Sequence, residues 1–156
     1  MLLLAPPALV APPPTVEHVD LARYMGDWHE IARLPNPFQR ACAKTTARYI
    51  LGEDLHFKVI NGCLTPAGKY LEAEGRARVV DRATGARIKV SFFWPFYGDY
   101  WILALDDAYA WALVGTPDRK YLWVISRTER MDPALLDRIL ARATELGYDL
   151  TRLIRS

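Results

Sequence analysis

The sequence predicts an all-β fold, an eight-stranded antiparallel up-and-down barrel with one C-terminal α-helix packed outside. Three observations carry that expectation. Short runs alternating apolar and polar residues recur from Gly26 to Thr128, joined by turn-like links of hairpin length. Beyond Asp132 the period switches from that of a strand to that of a helix. A sheet of many short strands sheds its exposed edges by closing on itself.

Each element has its own justification. Val19–Met25 reads as a short helical stretch, with Asp20 as its cap and Gly26 as its stop. GDWHEIARL (26–34) is the first strand, and one face of it carries Trp28, Glu30, Ala32 and Leu34. A carboxylate on an inner face must be paired or neutralised. TTARYIL (45–51) and HFKVIN (56–61) are joined by the turn-forming Gly52-Glu53-Asp54. Tyr70–Asp81 is the clearest strand: Leu71, Ala73, Gly75, Ala77 and Val79 alternate with Glu72, Glu74, Arg76 and Arg78, giving one dry and one wet face. Ala83-Thr84-Gly85 turns the chain into Arg87–Trp94, whose apolar set is Ile88, Val90, Phe92 and Trp94, and Pro95 and Gly98 break that run. Tyr100–Leu105, Tyr109–Gly115 and Tyr121–Thr128 complete the strands. Asp132-Pro133 then starts a helix with a capping aspartate and a first-turn proline. Leu135, Leu136, Ile139, Leu140, Ala143 and Leu146 form one stripe ending at Gly147. The opposite face mixes Asp137, Arg138, Arg142 and Glu145, which suits packing on a barrel better than lying on a membrane.

The chain organises as a single domain over residues 15–156. Residues 1–14, MLLLAPPALVAPPP, are apolar, uncharged and proline-rich, and read as a disordered tail or the remnant of a secretory signal. That segment holds no cysteine for lipid attachment. Apolar residues make up 51% of the chain and charged ones 24%, an ordinary globular balance. The net charge is only +2 and the basic residues are scattered along the sequence, which argues against a nucleic-acid partner. No apolar run is long enough for a membrane-spanning helix.

No catalytic constellation, metal ligand set or cofactor motif is found. The histidines, His18, His29 and His56, have neither triad nor ligand spacing. No nucleophile elbow and no phosphate-cradling glycine loop occurs. Cys42 and Cys63 are too far apart for a redox pair. On neighbouring strands they would form a disulfide adding about 3 kcal/mol, as suits an exported protein; otherwise they are two buried thiols.

Gly26-Asp27-Trp28, placed after a helical turn and opening the first strand, resembles the G-x-W signature of the lipocalin family. The family's second motif, Thr-Asp-Tyr, is matched in Leu105-Asp106-Asp107 only at Asp106, and its third, an arginine ending the last strand, at Arg127. WHEIARLPNPFQ, VSFFWPFYGDYWILALD and PDRKYLWVISRT resemble the bacterial outer-membrane lipocalin subgroup and apolipoprotein D. The resemblance spans about Val19 to Arg152 and implies a calyx. Gly26, Trp28, Asp106 and Arg127 then have structural roles, with indole and guanidinium stacked at the closed end.

Alternation, and for the last three strands the register of the resemblance, give the inward set. It comprises Glu30 and Ala32, Ala47 and Tyr49, then Phe57, Val59 and Asn61. Ala73, Gly75, Ala77 and Val79 follow, then Ile88, Val90 and Phe92, and finally Tyr100, Ile102, Ala104, Ala112, Val114, Tyr121, Trp123 and Ile125. Many are small, which leaves space for a long acyl chain, with Glu30, Asn61 and the tyrosines as polar handles. Glu30 either meets a ligand or is an internally satisfied carboxylate. Phe38, in the loop Pro35–Arg40 across the open end, is expected to act as a lid. Filling the interior by Ala77→Trp or Ala112→Trp is expected to abolish binding with the fold intact. Phe93, Trp94, Phe96 and Tyr97, with Trp101, form an aromatic cluster that invites a homodimer or a peripheral membrane contact. The reading that results is a non-enzymatic carrier of fatty acids or lysophospholipids in the periplasm or at the outer membrane. The alternatives are a binder of a planar pigment or haem-like ligand, an interaction module acting through the aromatic patch, and an enzyme using a cavity thiol.

Overall fold

The computed structural model describes residues 10–39, 41–93 and 96–156. Residues 1–9, Arg40, Trp94 and Pro95, with the side chains of Phe93 and Phe96, lie outside the described set, and with them most of the expected aromatic cluster. The elements in chain order are α1 (Leu21–Tyr24), β1 (Gly26–Arg33), β2 (Lys44–Leu51), β3 (His56–Leu64), β4 (Tyr70–Val79), β5 (Arg87–Phe93), β6 (Phe96–Leu105), β7 (Trp111–Gly115), β8 (Leu122–Ser126), α2 (Pro133–Glu145) and β9 (Ile154–Arg155).

Every neighbouring pair from β2 to β8 is antiparallel, β8 pairs with β1, and β1 pairs with β2, so eight strands close into a barrel. β1 divides its edge: Gly26–His29 pair with β2, whereas Ala32 and Arg33 pair with β9. β9, which carries no periodic signal in the sequence, fills the place where β2 has turned away. β6 begins at Phe96, four residues earlier than alternation suggests, so Gly98 lies within a strand opposite Val90.

The barrel has two apolar clusters. One is inside, around Trp28, Tyr24, Tyr49, Phe57, Ile88, Ile102, Ala112, Val114 and Ile125. The other is outside, where α2 lays Leu136, Ile139, Leu140 and Ala143 on Leu103, Leu113, Leu122 and Val124. Asp132 caps α2 by accepting from the Ala134 amide, and Pro133 opens it. Asp20 caps α1 the same way, accepting from Arg23 N–H.

Two β-bulges correct the inward set. Between Glu30 and Ala32 the register of β1 on β8 slips, so Glu30 lies opposite Ile125 of the inner cluster and Ala32 opposite Val124 of the outer one. Ala32 and Leu34 therefore point out beneath α2, and Arg33 takes the inward place. A second bulge between Ile102 and Ala104 turns Leu103 and Ala104 outward and returns Leu105 to the inside. Strict alternation fails at both places because a bulge inserts one residue and flips every later side chain. Within the region read as a tail, Pro13 is buried and the Ala11 carbonyl accepts from Arg119, so residues 10–14 lie along the barrel.

Candidate functional site

The closed end is built around Trp28, whose side chain is fully buried. The Arg127 guanidinium lies 3.7 Å from the Trp28 ring centroid, as the cation–π reading requires. The same guanidinium donates to the carbonyls of Tyr109, Met25, Asp27 and Arg23 at 2.8–3.1 Å, tying the short helix α1 to the floor. Gly26 sits at φ +98°, and a Cβ there would meet Arg127 Nη1 at 3.3 Å, so glycine suits both the backbone and the close approach. Asp106 closes the β6–β7 turn, accepting from Ala110 N–H at 3.0 Å.

Above the floor stand three tyrosines. The hydroxyls of Tyr24 and Tyr49 both bond the Tyr100 hydroxyl, at 2.6 and 2.9 Å, and Tyr24 stacks on Tyr49 with centroids 5.8 Å apart. Burial pushes the Tyr49 hydroxyl up to about 12, and raises those of Tyr24 and Tyr100 well above the ordinary phenol value, so all three stay neutral. Desolvation lowers the Arg127 pKa, but the nearby phenols and Asp27 favour its charged form.

The interior grades from sealed to open. Phe57, Val59, Ala77, Ile88, Ile102, Ala112 and Val114 are buried at the closed end with Tyr49. Toward the mouth, Ala47, Asn61, Val90, Tyr121 and Trp123 are only partly buried, Ala73 is exposed, and Leu71 and Phe92 stand 44% and 36% exposed. The Phe92 ring lies over Gly75, where a Cβ would sit 2.8 Å from it. Small inward residues therefore leave no space at the closed end, where the interior is packed, and the inner wall is exposed only toward the mouth. Ala77 and Ala112, at 2% and 0% exposure, are core positions where tryptophan would overpack, so they are not sites for filling a cavity.

Glu30 is answered by its neighbours. Its side chain is 4% exposed. Oε2 accepts from Arg33 Nη1 at 2.8 Å and from Ser156 Oγ at 3.1 Å, and Oε1 accepts from Gln39 Nε2 at 2.7 Å. Gln39 also donates to Thr45 Oγ1 and accepts from Trp123 Nε1 and Asn36 Nδ2. One loop amide thus links β8, β1 and β2 across the gap that β2 leaves. Of the two readings of Glu30, the internally satisfied carboxylate is the one present here. Arg33 and Gln39 were invisible to alternation: the first lies beyond a bulge and the second in a loop.

Phe38 points away from this cluster. It is 83% exposed, and its backbone N–H bonds Asn36 Oδ1, so the residue turned inward is Gln39 and the expected lid is not formed by Phe38. Cys42 is bonded to Cys63, pinning the end of the same loop to the wall of β3. Among the described residues, Asn61 makes no side-chain hydrogen bond, although it faces the upper interior between Ala47 and Ala73. No group of His, Cys, Asp and Glu suited to a metal ion occurs among the described residues.

Residues 19–156 match the lipocalin-like domain. The chain is similar to the outer membrane lipoprotein Blc of Escherichia coli strain K12, 44% identical over 140 residues that cover 89% of this chain and 79% of that protein. It is similar to rat (Rattus norvegicus) apolipoprotein D, 30% identical over 149 residues covering 90% and 78%. Among solved structures, insecticyanin of the tobacco hornworm Manduca sexta shares the fold, with a TM-score of 0.74 at 22% identity, covering 96% of this chain and 84% of the other. With a closed barrel, a floor of Trp28 and Arg127, and a family match over most of its length, the chain belongs to the lipocalin family.

Proposed function

We propose that this lipocalin binds single-chain lipids, fatty acids or lysophospholipids, in the upper half of its barrel and carries them in the bacterial envelope, in the periplasm or at the outer membrane. The observation that supports it is the gradient of the inner wall, sealed by aromatic side chains below and open above on Ala73, Leu71, Phe92, Val90 and Ala47. An acyl chain entering there loses its contact with water at about 0.8 kcal/mol per methylene. Some ten methylenes give about 8 kcal/mol, the scale of micromolar binding before ordering costs. Asn61 is the polar handle for a head group, with Tyr49 deeper. The envelope reading draws on the likeness to outer membrane lipoprotein Blc.

The ligand leaves as it entered. The thiol that a cavity enzyme would use, Cys63, is bonded to Cys42. A haem-like ligand would need an inward histidine, whereas His18 and His56 are exposed and His29 lies on the outward face of β1 opposite Thr46.

The test is native mass spectrometry of protein purified without detergent, followed by titration with a fatty acid. The expected result is about one lipid per chain. Ala73→Trp should weaken binding more than tenfold and move the melting temperature by only a few degrees, because Ala73 is exposed on the inner wall. A protein that is empty and refuses added fatty acid, or a folded Ala73→Trp variant with unchanged affinity, overturns the reading.

A further inference from the structure

We infer that the outer wall of β3, β4 and β5 is a docking surface for an anionic lipid bilayer. The register sets Lys58 directly across from Arg76, and Arg78 across from both His56 and Lys89. All of these side chains lie on the outward face, opposite the inward Phe57, Ala77 and Val90. Like charges placed opposite one another on neighbouring strands cost stability. With Arg87 next along β5, five cations here face two carboxylates, Glu74 bonded to Lys58 and Asp99 bonded to Lys89. Glu72, the next outward residue toward the mouth, lies beside Arg48, which is bonded to Asp27. Against a net charge of only +2 for the whole chain, five cations facing two carboxylates make this wall a positive face. Among the described residues neither Arg76 nor Arg78 forms an ion pair, and both are exposed.

Two aromatic residues of β6 that border this wall, Tyr97 and the half-buried Trp101, decide the kind of anion. Arg78 covers the Tyr97 ring at 5.2 Å from its centroid, and Arg87 covers the Trp101 ring at 4.5 Å. Rings already faced by guanidinium groups are not free to stack on the bases of a nucleic acid. Tyr and Trp flanked by arginine are instead the residues that settle at a lipid–water interface, where arginine holds phosphates in pairs of hydrogen bonds. A second copy of the chain is disfavoured, since a two-fold contact through this face sets the same cations against one another. The inference stands on the outer wall alone and does not depend on what the barrel holds.

The experiment is sedimentation of the full chain with vesicles of phosphatidylcholine alone and with about one-third phosphatidylglycerol. Binding is expected only to the anionic vesicles, with release in about 1 M salt, where screening acts within about 3 Å. Each arginine near an anionic surface contributes about a fivefold gain in partitioning, so Arg76→Gln with Arg78→Gln should weaken it about 25-fold. Arg138→Gln with Arg142→Gln removes the same charge from the exposed face of α2 and should change it less than threefold. Fatty-acid affinity, measured on the same variants, should be unchanged. The inference is overturned if the protein ignores anionic vesicles, if wall and helix variants lose binding equally, or if the chain pairs with itself through this face in their absence.

Discussion

Replacing Glu30 by alanine strips of its carboxylate an Arg33 whose side chain is only 6% exposed. Breaking a buried pair from one side costs about 3–5 kcal/mol, because the remaining charge must stay desolvated or be driven out. Gln39 Nε2 and Ser156 Oγ lose their acceptor in the same step. A domain of this size holds about 5–15 kcal/mol in all, so the loss is a large share, equivalent to a fall of about 10 °C in melting temperature. Glu30→Met with Arg33→Met removes both charges and fills the space with apolar atoms, which is neutral or stabilising for many buried pairs. The double variant should therefore be more stable than Glu30→Met or Arg33→Met alone, with a coupling between the two sites of about 3 kcal/mol. Urea denaturation of the wild type, both single variants and the double variant reads this directly, and fatty-acid titration of the same proteins separates structure from binding. If Glu30 is a strut, stability falls and the affinity of the folded protein changes less than threefold. A Glu30→Ala protein that keeps its stability but binds fatty acid tenfold more weakly would refute the argument and make Glu30 a ligand group.

Three further outcomes follow from the same geometry. Burial raises the pKa of Tyr24, Tyr49 and Tyr100 above the free value near 10, as it raises Tyr148 to about 12. The folded state therefore holds these protons more tightly than the unfolded one. Stability should be level up to about pH 10 and then fall by about 1.4 kcal/mol per pH unit for each such tyrosine. Tyrosinate absorbance should appear late and together with unfolding; early, reversible ionisation of all eight tyrosines in the folded protein would contradict it. Reducing the Cys42–Cys63 bond opens a loop of 21 residues and should cost about 3 kcal/mol, seen as a lower urea midpoint with reductant than without. Arg127→Ala leaves the carbonyls of Met25, Arg23, Asp27 and Tyr109 without their donor and bares the Trp28 ring, and should cost about 2–4 kcal/mol by the same assay. Arg127→Lys should recover only part of that, since one ammonium cannot reach four carbonyls; full recovery would mean that charge alone matters there.

The closed end was legible in the sequence because its signals are local and chemical. A glycine before Trp28, an arginine at the end of the last strand and a run of alternating strands are enough to place a plugged barrel. The α2 helix announces itself by its stripe and by Asp132-Pro133. The upper half was not legible, and the reason is geometric. A bulge leaves no mark that alternation can read, yet the one at Ile31 decides where Ala32, Arg33 and Leu34 point. Gln39 makes four side-chain hydrogen bonds from a loop with no period at all, and β9 is two residues long.

The two bulges also explain how one sheet serves two cores. Each falls on a strand that runs beneath α2, and each turns adjacent side chains outward just where the helix needs an apolar bed: Ile31, Ala32 and Leu34 on β1 and the residues that follow it, Leu103 and Ala104 on β6. The slip that gives β1 this outer face also gives its inner face to Arg33, three residues after Glu30, and so brings the two charges into contact inside the barrel. The buried ion pair and the seat of the outer helix are therefore two consequences of one inserted residue. A carboxylate that alternation alone offers to a ligand is, once the chain slips, held by the arginine that the same slip delivers, whereas Asn61 on the unbulged β3 keeps its inward place between Ala47 and Ala73.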